Sequence, residues 1–171
     1  MATLLISDTS VLIDLERGMV LAAAFQTSYE LAVPDILYRR ELAPHGGDQL
    51  VALGLKVMPV DGVGVKLALG YRARQKRISV ADSMSLALAK RIGGTLMTGD
   101  AILRALAEED NVDCHGLLWF FDVFDEERVL DPREFLTALE KIHSHPRCRL
   151  PEGEVLRRLE RYAAAIRKRR R

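Results

Sequence analysis

The stretch ISVADSMSLALAKRIGGTLMTGDAILR, residues 78–104, decides the fold class of this chain. Its first half has apolar residues at every fourth position, the spacing of one face of a helix: Val80, Met84, Leu88 and Ile92. Two glycines then end the helix, GTLMTGD predicts a buried strand that runs into a turn, and AILRALAEE predicts the helix behind it. A helix, a strand and a helix in succession are typical of an α/β protein.

The same alternation extends in both directions along the chain. Short apolar runs predict four further strands, at residues 3–7, 29–34, 55–60 and 112–116. Pro34 is predicted to be the first residue of the helix PDILYRRELA, because its missing N–H would be unpaired at that position anyway. Strands separated by helices predict a parallel sheet covered on both faces, with right-handed crossovers.

Several classes of protein are disfavoured by the composition and the motifs. No apolar run reaches the roughly 18 residues of a membrane span, and the start MATLLISDTS lacks the basic segment of a secretory signal. We therefore expect a cytoplasmic protein with no membrane partner. The two cysteines form no CxxC pair, and no GxxxxGK[ST], GxGxxG or GxSxG motif is present.

Basic residues are concentrated at the C-terminus. Residues 141–171 contain 11 Lys or Arg and 3 Asp or Glu, whereas residues 1–140 contain 14 and 21. We predict a domain over residues 1–145, followed over residues 146–171 by a linker and a basic helix. The end of this helix is either a solvated tail or a phosphate-binding segment formed by Arg167, Lys168, Arg169, Arg170 and Arg171.

Two acidic residues follow predicted strands directly. Asp8 comes after the first strand and Asp100 after the fourth, and ligands of parallel sheets lie beyond the carboxyl ends of such strands. Asp82 and Glu41 lie on flanking helices. Each acid also has a structural interpretation: Asp8, Asp82 and Asp100 could cap helices, and Glu41 could pair with a neighbouring arginine.

A metal-binding function is indicated by the four acids as a set, and not by any one of them. Carboxylates that converge repel one another unless a cation neutralises them, and hard oxygen ligands suit Mg²⁺ or Mn²⁺. One or two such ions can activate water and stabilise the charge that develops on a phosphodiester under attack.

Four segments resemble, in order and spacing, the motifs of the PIN domain family: ISDTSVLIDLERG, VPDILYRREL, ISVADSMSLALAKRIGGTLMTGDAILR and VDCHGLLWF. The resemblance covers roughly residues 3–120. It implies a three-layer α/β/α sandwich with a parallel sheet in the order 3-2-1-4-5. Minimal toxins of the family end soon after the fifth strand, whereas this chain continues as a C-terminal helical extension.

The resemblance also implies an activity and a site. Family members are Mg²⁺- or Mn²⁺-dependent ribonucleases that leave 5′-phosphate and 3′-hydroxyl ends. Carried over to this chain, the acids that hold one or two metal ions are Asp8, Glu41, Asp82 and Asp100. Thr9, Ser10 and Thr98 would orient those acids or water.

Many bacterial members are VapC-like toxins that a cognate antitoxin neutralises, which leaves open whether this chain is the toxin of such a pair. A small antitoxin reading frame directly upstream would favour that role.

Other functions stay open on the sequence. One alternative is a catalytically inactive RNA- or protein-binding module with this fold, although the presence of all four acids disfavours it. A phosphatase acting on small molecules is another. The apolar segment LLWFFDVF, residues 117–124, is either core or a partner surface. We expect a homodimer, and a monomeric mass in light scattering would count against it.

Overall fold

Five parallel strands form a single sheet in the computed structural model, which describes residues 3–169. Its order is β3-β2-β1-β4-β5. The strands are β1 (Leu4–Ser7), β2 (Glu30–Pro34), β3 (Lys56–Met58), β4 (Thr95–Met97) and β5 (Cys114–His115). The predicted parallel sheet and its order 3-2-1-4-5 are therefore confirmed.

Helices connect the strands and continue beyond the last one. They are α1 (Thr9–Arg17), α2 (Leu21–Ala24), α3 (Asp35–Leu37), a π-helical turn (Tyr38–Leu42), a 3-10 turn (Ala43–His45), α4 (Gly47–Leu53), α5 (Gly62–Arg74), α6 (Val80–Ile92), α7 (Ala101–Glu109), α8 (Leu117–Glu126), α9 (Pro132–His143) and α10 (Glu152–Arg169). None of the helices within residues 3–169 combines the length and the apolar character needed to cross a membrane.

A separate hydrophobic core lies on each face of the sheet, because successive strand residues point to opposite sides. In β1, Leu5 packs into a larger cluster with α1, α8, α9 and α10, whereas Ile6 packs into a smaller cluster with α5, α6 and α7. Both side chains are fully buried. The sheet therefore lies between two helical layers, which confirms the predicted α/β/α sandwich.

Helix α6 is buried on more than the single face that its sequence spacing predicted. It contacts three strands as well as α3, α5 and α7, so residues around most of its circumference are enclosed. Ile92, the last of the four residues spaced along that face, is 37% exposed at the end of the helix. Small residues such as Ala87 and Ala89 let the surrounding elements approach closely.

The prediction that Pro34 begins a helix is wrong. Pro34 is the last residue of β2, where its register partner is Met58, and its ψ angle of 143° is extended. The helix begins one residue later, at Asp35. Proline is tolerated here because its missing N–H falls at the boundary between strand and helix.

The C-terminal extension packs on the domain. Segment 117–124 forms most of α8 and is buried apart from Trp119 and Asp122, so its interpretation as core is confirmed. Helix α10 lies against α9, where Tyr162 stacks on Phe135 with ring centroids 3.7 Å apart. The dimer and the division at residue 145 stay predictions.

Candidate active site

The strand order creates a crevice beside β1. The chain leaves β1 towards β2 on one side and reaches β4 on the other, so the connections that follow β1 and β4 diverge. Asp8 follows β1 directly and Asp100 follows β4 closely. The Asp8 backbone N–H donates to the Met97 carbonyl across 3.1 Å, which ties the two strand ends together.

A cavity of about 860 Å³ opens at this crevice. All four predicted acids line it, together with two of the three predicted hydroxyl residues, Thr9 and Ser10. The third, Thr98, is fully buried beneath it. The structure thus brings the acids to one cavity from two strand ends and two helices: Asp8, Glu41, Asp82 and Asp100.

Asp8 is held firmly at the floor of the site. Its Oδ1 accepts hydrogen bonds from Ser10 Oγ at 2.8 Å and Val11 N at 2.9 Å, and its Oδ2 accepts one from Thr98 Oγ1. A carboxylate has about four lone-pair sites, so roughly one stays open. Burial raises the pKa of the Asp8 carboxyl above its ordinary value; the hydrogen bonds oppose this rise and the charge of Asp82 adds to it.

Asp100 caps a helix with one carboxylate oxygen, and its other carboxylate oxygen accepts no hydrogen bond from the described residues. Its Oδ1 accepts from Ile102 N and Leu103 N, at 2.8 and 2.9 Å, at the start of α7. Its own N–H donates to Thr98 Oγ1 across 3.0 Å, so Thr98 connects Asp100 to Asp8. Within residues 3–169, nothing donates a hydrogen bond to the second carboxylate oxygen of Asp100.

Asp82 and Ser79 form a capping box at the start of α6. Ser79 donates to Asp82 Oδ2 from its hydroxyl at 2.8 Å and from its N–H at 3.3 Å. The structural interpretation as a cap is thus correct, as it is for Asp8 and Asp100. It does not compete with a role in the cavity, because the other oxygen of Asp82 accepts no hydrogen bond from the described residues.

Glu41 lies in the π-helical turn and accepts a hydrogen bond from Thr9 at Oε2. The alternative that it pairs with a neighbouring arginine is not what the structure shows, since it forms no ion pair with any residue between 3 and 169. Gly47 helps to place the turn: a Cβ there would lie 2.8 Å from the Leu42 carbonyl carbon and from the Tyr38 ring.

None of the four acids forms an ion pair with a cationic side chain in the described part of the chain. The nearby Arg17 pairs with Asp14 at 2.7 Å. Arg104 donates to the Thr98 carbonyl at 3.1 Å, not to a carboxylate. Carboxylates that share a cavity without ion-pair partners favour the binding of a cation, because a nearby positive charge stabilises their ionised form.

The donor set fits a hard divalent cation. Glu41, Asp82 and Asp100 each keep an oxygen that accepts no hydrogen bond from residues 3–169, and Asp8 keeps a lone pair. Carboxylate oxygens are the ligands that Mg²⁺ and Mn²⁺ prefer. In that part of the chain, no three His, Cys, Asp or Glu side chains lie close enough together to hold one metal ion, so the four acids share a cavity without forming a preassembled metal site.

The raised pKa of Asp8 predicts a dependence of stability on pH. Because the folded pKa lies above the unfolded one, the ionised carboxylate destabilises the fold, and stability is lost as pH rises through the folded value. Asn cannot ionise, so Asp8→Asn should raise the Tm of the metal-free protein at pH ~7, and by less at pH ~4. Thermal melts in EDTA measure this, and a lower Tm at both pH values would contradict it.

Sequence reasoning missed residues that the C-terminal extension contributes to the cavity. Arg147, Arg149, Glu154 and Arg158 line it alongside the acids, as does Trp119 from α8. The sequence signal is slight, because it consists of two arginines in a short connection that is predicted to be a linker.

The predicted phosphate-binding tail does not line this cavity in the part of it that the structure describes. Arg167 and Lys168 are exposed on α10 and are absent from the cavity lining. The side chain of Arg169, and the residues Arg170 and Arg171, lie outside the described part of the chain. A role of the tail in RNA binding stays a prediction.

Comparison with known proteins gives one clear result. A search of curated proteins finds no match. A family model described as a PIN domain matches residues 4–163, which include all five strands, the four acids and most of α10. PIN domains are generally nucleases and typically use divalent metals. The chain therefore belongs to the PIN domain family and has its nuclease-type fold.

Proposed function

We propose that this protein is a metal-dependent endoribonuclease that hydrolyses RNA phosphodiester bonds. One observation carries the proposal: four carboxylates share a cavity at the switch point of the sheet, and none has a cationic partner among the described residues. Membership of a family of nucleases supports it.

The residues that would hold one or two Mg²⁺ or Mn²⁺ ions are Asp8, Glu41, Asp82 and Asp100. When bound, such ions would favour the ionisation of water and stabilise the negative charge that develops on the phosphodiester. Thr98 and Ser10 each fix an oxygen of Asp8, so this carboxylate is oriented before any ligand arrives. Thr9 does the same for Glu41. Because these two side chains are held by hydrogen bonds, each would lose less side-chain entropy on binding an ion.

A narrower proposal is that the protein is the toxin of a toxin–antitoxin pair. Its support is the resemblance to VapC-like members, and its expected partner is a cognate antitoxin. The C-terminal extension distinguishes this chain from minimal toxins of the family. A functional antitoxin gene beside this one remains the observation that would favour the role.

Incubation of the purified protein with a mixed RNA pool tests the proposed activity. We expect cleavage with Mg²⁺ or Mn²⁺ and none in EDTA, because the proposed activation of water and the stabilisation of the developing charge both depend on the ions. The products should carry 5′-phosphate and 3′-hydroxyl ends. RNA left intact by folded protein would favour the binding module, and turnover of a generic phosphomonoester with no effect on RNA would favour the phosphatase.

A further inference from the structure

We propose that Arg147 and Arg149 bind the phosphates of single-stranded RNA at the cavity. Both residues lie in the segment between α9 and α10, residues 144–151, which we call the strap. The inference rests on the proposed function for its ligand, RNA, but not for the cleavage step. It assigns phosphate binding at the cavity to the strap.

The strap forms part of the cavity wall. Four of its residues line the cavity that contains the acids: Arg147, Arg149, Leu150 and Pro151. A polyanion that reaches Asp8 or Asp100 therefore passes close to the strap. Four carboxylates would repel that polyanion, so positive charge in the same wall would favour its approach.

The two arginines are available, whereas the other cavity arginines are engaged. Arg17 pairs with Asp14, Arg104 donates to backbone carbonyls, and Arg158 holds Asp122 with Nε at 3.1 Å and Nη2 at 2.5 Å. Arg147 and Arg149 are exposed.

Neither side chain of this pair forms a hydrogen bond or an ion pair with the part of the chain between Thr3 and Arg169. A free guanidinium can offer its forked donors to a phosphate.

The backbone beneath the arginines is anchored. The Cys148 N–H donates to the His145 carbonyl at 2.9 Å, and the Arg147 N–H donates to His145 Nδ1 at 3.1 Å. Cys148 and Leu150 pack against the larger core. The two arginines therefore project from a fixed turn, which lowers the entropy lost when they bind.

An aromatic ring in the same cavity favours a single strand over a duplex. Trp119 lines the cavity and is half-buried. One face of its ring is covered by His115, with centroids 4.1 Å apart and ring planes at 12°, and the Tyr29 ring contacts it at 5.5 Å and 75°. A base would contact the part of the indole that stays exposed to the cavity. Proteins that bind single-stranded RNA combine positive charge along the backbone with aromatic rings for the bases. The bases of a duplex are paired and stacked, and do not reach such a ring.

Binding of a labelled single-stranded RNA to the full-length chain, followed by fluorescence anisotropy, tests the proposal. The titration is run in EDTA, and again with Mg²⁺ in the Asp8→Asn background, so that binding is measured without cleavage. The variant Arg147→Gln/Arg149→Gln is compared with the matched control Arg72→Gln/Lys76→Gln, whose positions lie outside the cavity lining. Both variants remove two positive charges from exposed positions. Thermal melts check that both stay folded.

We expect the strap variant to weaken the Kd roughly tenfold or more and the control variant less than about threefold. The slope of log K against log salt should fall by about 1.4 in the strap variant, because two phosphate contacts with a single strand are lost. Equal losses in both variants, no loss in the strap variant, or no binding by the parent chain would overturn the proposal. Equally tight binding of a duplex would overturn the choice of a single strand.

The two proposals can fail separately. If the strap variant loses RNA binding but no condition yields metal-dependent cleavage, the nuclease proposal fails and the RNA site stands. If cleavage occurs while the strap variant binds RNA as the parent does, the strap proposal alone fails.

Discussion

Asp8→Asn is expected to slow metal-dependent RNA cleavage on the order of 10³-fold while leaving the protein folded. Asp8 is the most buried of the four acids, and its two oxygens are fixed by Ser10, Val11 and Thr98. Asn keeps the shape and can keep the bonds to Oδ1, but it loses the negative charge. A loss of about 4 kcal/mol of metal-dependent stabilisation corresponds to this change in rate. Single-turnover cleavage of a labelled RNA measures it.

Asp14→Asn is the matched control. Asp14 lines the same cavity, but its carboxylate is paired with Arg17, so we place it outside the catalytic set. We expect the rate of RNA cleavage by Asp14→Asn to stay within a few-fold of the rate of the parent chain. A comparable loss in both variants would mean that the overall charge of the cavity matters and that Asp8 has no special role. A parent-like rate in Asp8→Asn would exclude Asp8 as a ligand.

The strand-end acids were predictable because their positions follow from local pattern. A short apolar run ending in an acid places Asp8 and Asp100 at the carboxyl ends of strands, and parallel topology brings those ends together. The sequence posed capping and function as alternatives for these acids. The structure shows that one carboxylate can cap a helix with one oxygen and present the other to the cavity.

The sequence predicts that Glu41 lies on a helix that flanks the sheet, but it does not predict what positions the side chain there. Its position depends on a π-helical turn that changes the residue spacing of an ordinary helix, and on the close approach of Gly47 to that turn. Neither feature has a clear signature in a single sequence. The expectation of an ordinary flanking helix therefore does not give the geometry that positions Glu41.

The cavity wall supplied by the strap could not be predicted, because it depends on contacts distant in sequence. The path of residues 144–151 is set by where α10 packs, and α10 is held by Arg158 to Asp122 and by Tyr162 to Phe135. Local pattern shows an amphipathic basic helix after a connection. It does not show which surface of the domain that helix covers.

Phe135→Ala is expected to lower the free energy of unfolding by about 3–5 kcal/mol, a large share of the roughly 5–15 kcal/mol typical of a domain. Phe135 is 1% exposed. The centroid of its ring lies 4.9 Å from that of Phe121 and 3.7 Å from that of Tyr162. The ring therefore packs between residues of α8 and α10 and joins both helices to α9. Its removal leaves a cavity at the junction of the three helices. Urea denaturation followed by circular dichroism measures the loss.

The exposed Leu156→Ala on α10 is the control, with an expected change within about 0.5 kcal/mol, because Leu156 is 46% exposed. A loss below about 1 kcal/mol in Phe135→Ala would contradict the packing described.

The shape of the transition carries a second result. A single transition in the parent would mean that α10 unfolds with the sheet, since Val155 and Tyr162 are part of the larger core. An early separate transition would mean that residues 146–171 are a detachable unit, and the strap would then lose its anchor while the four acids stay in place.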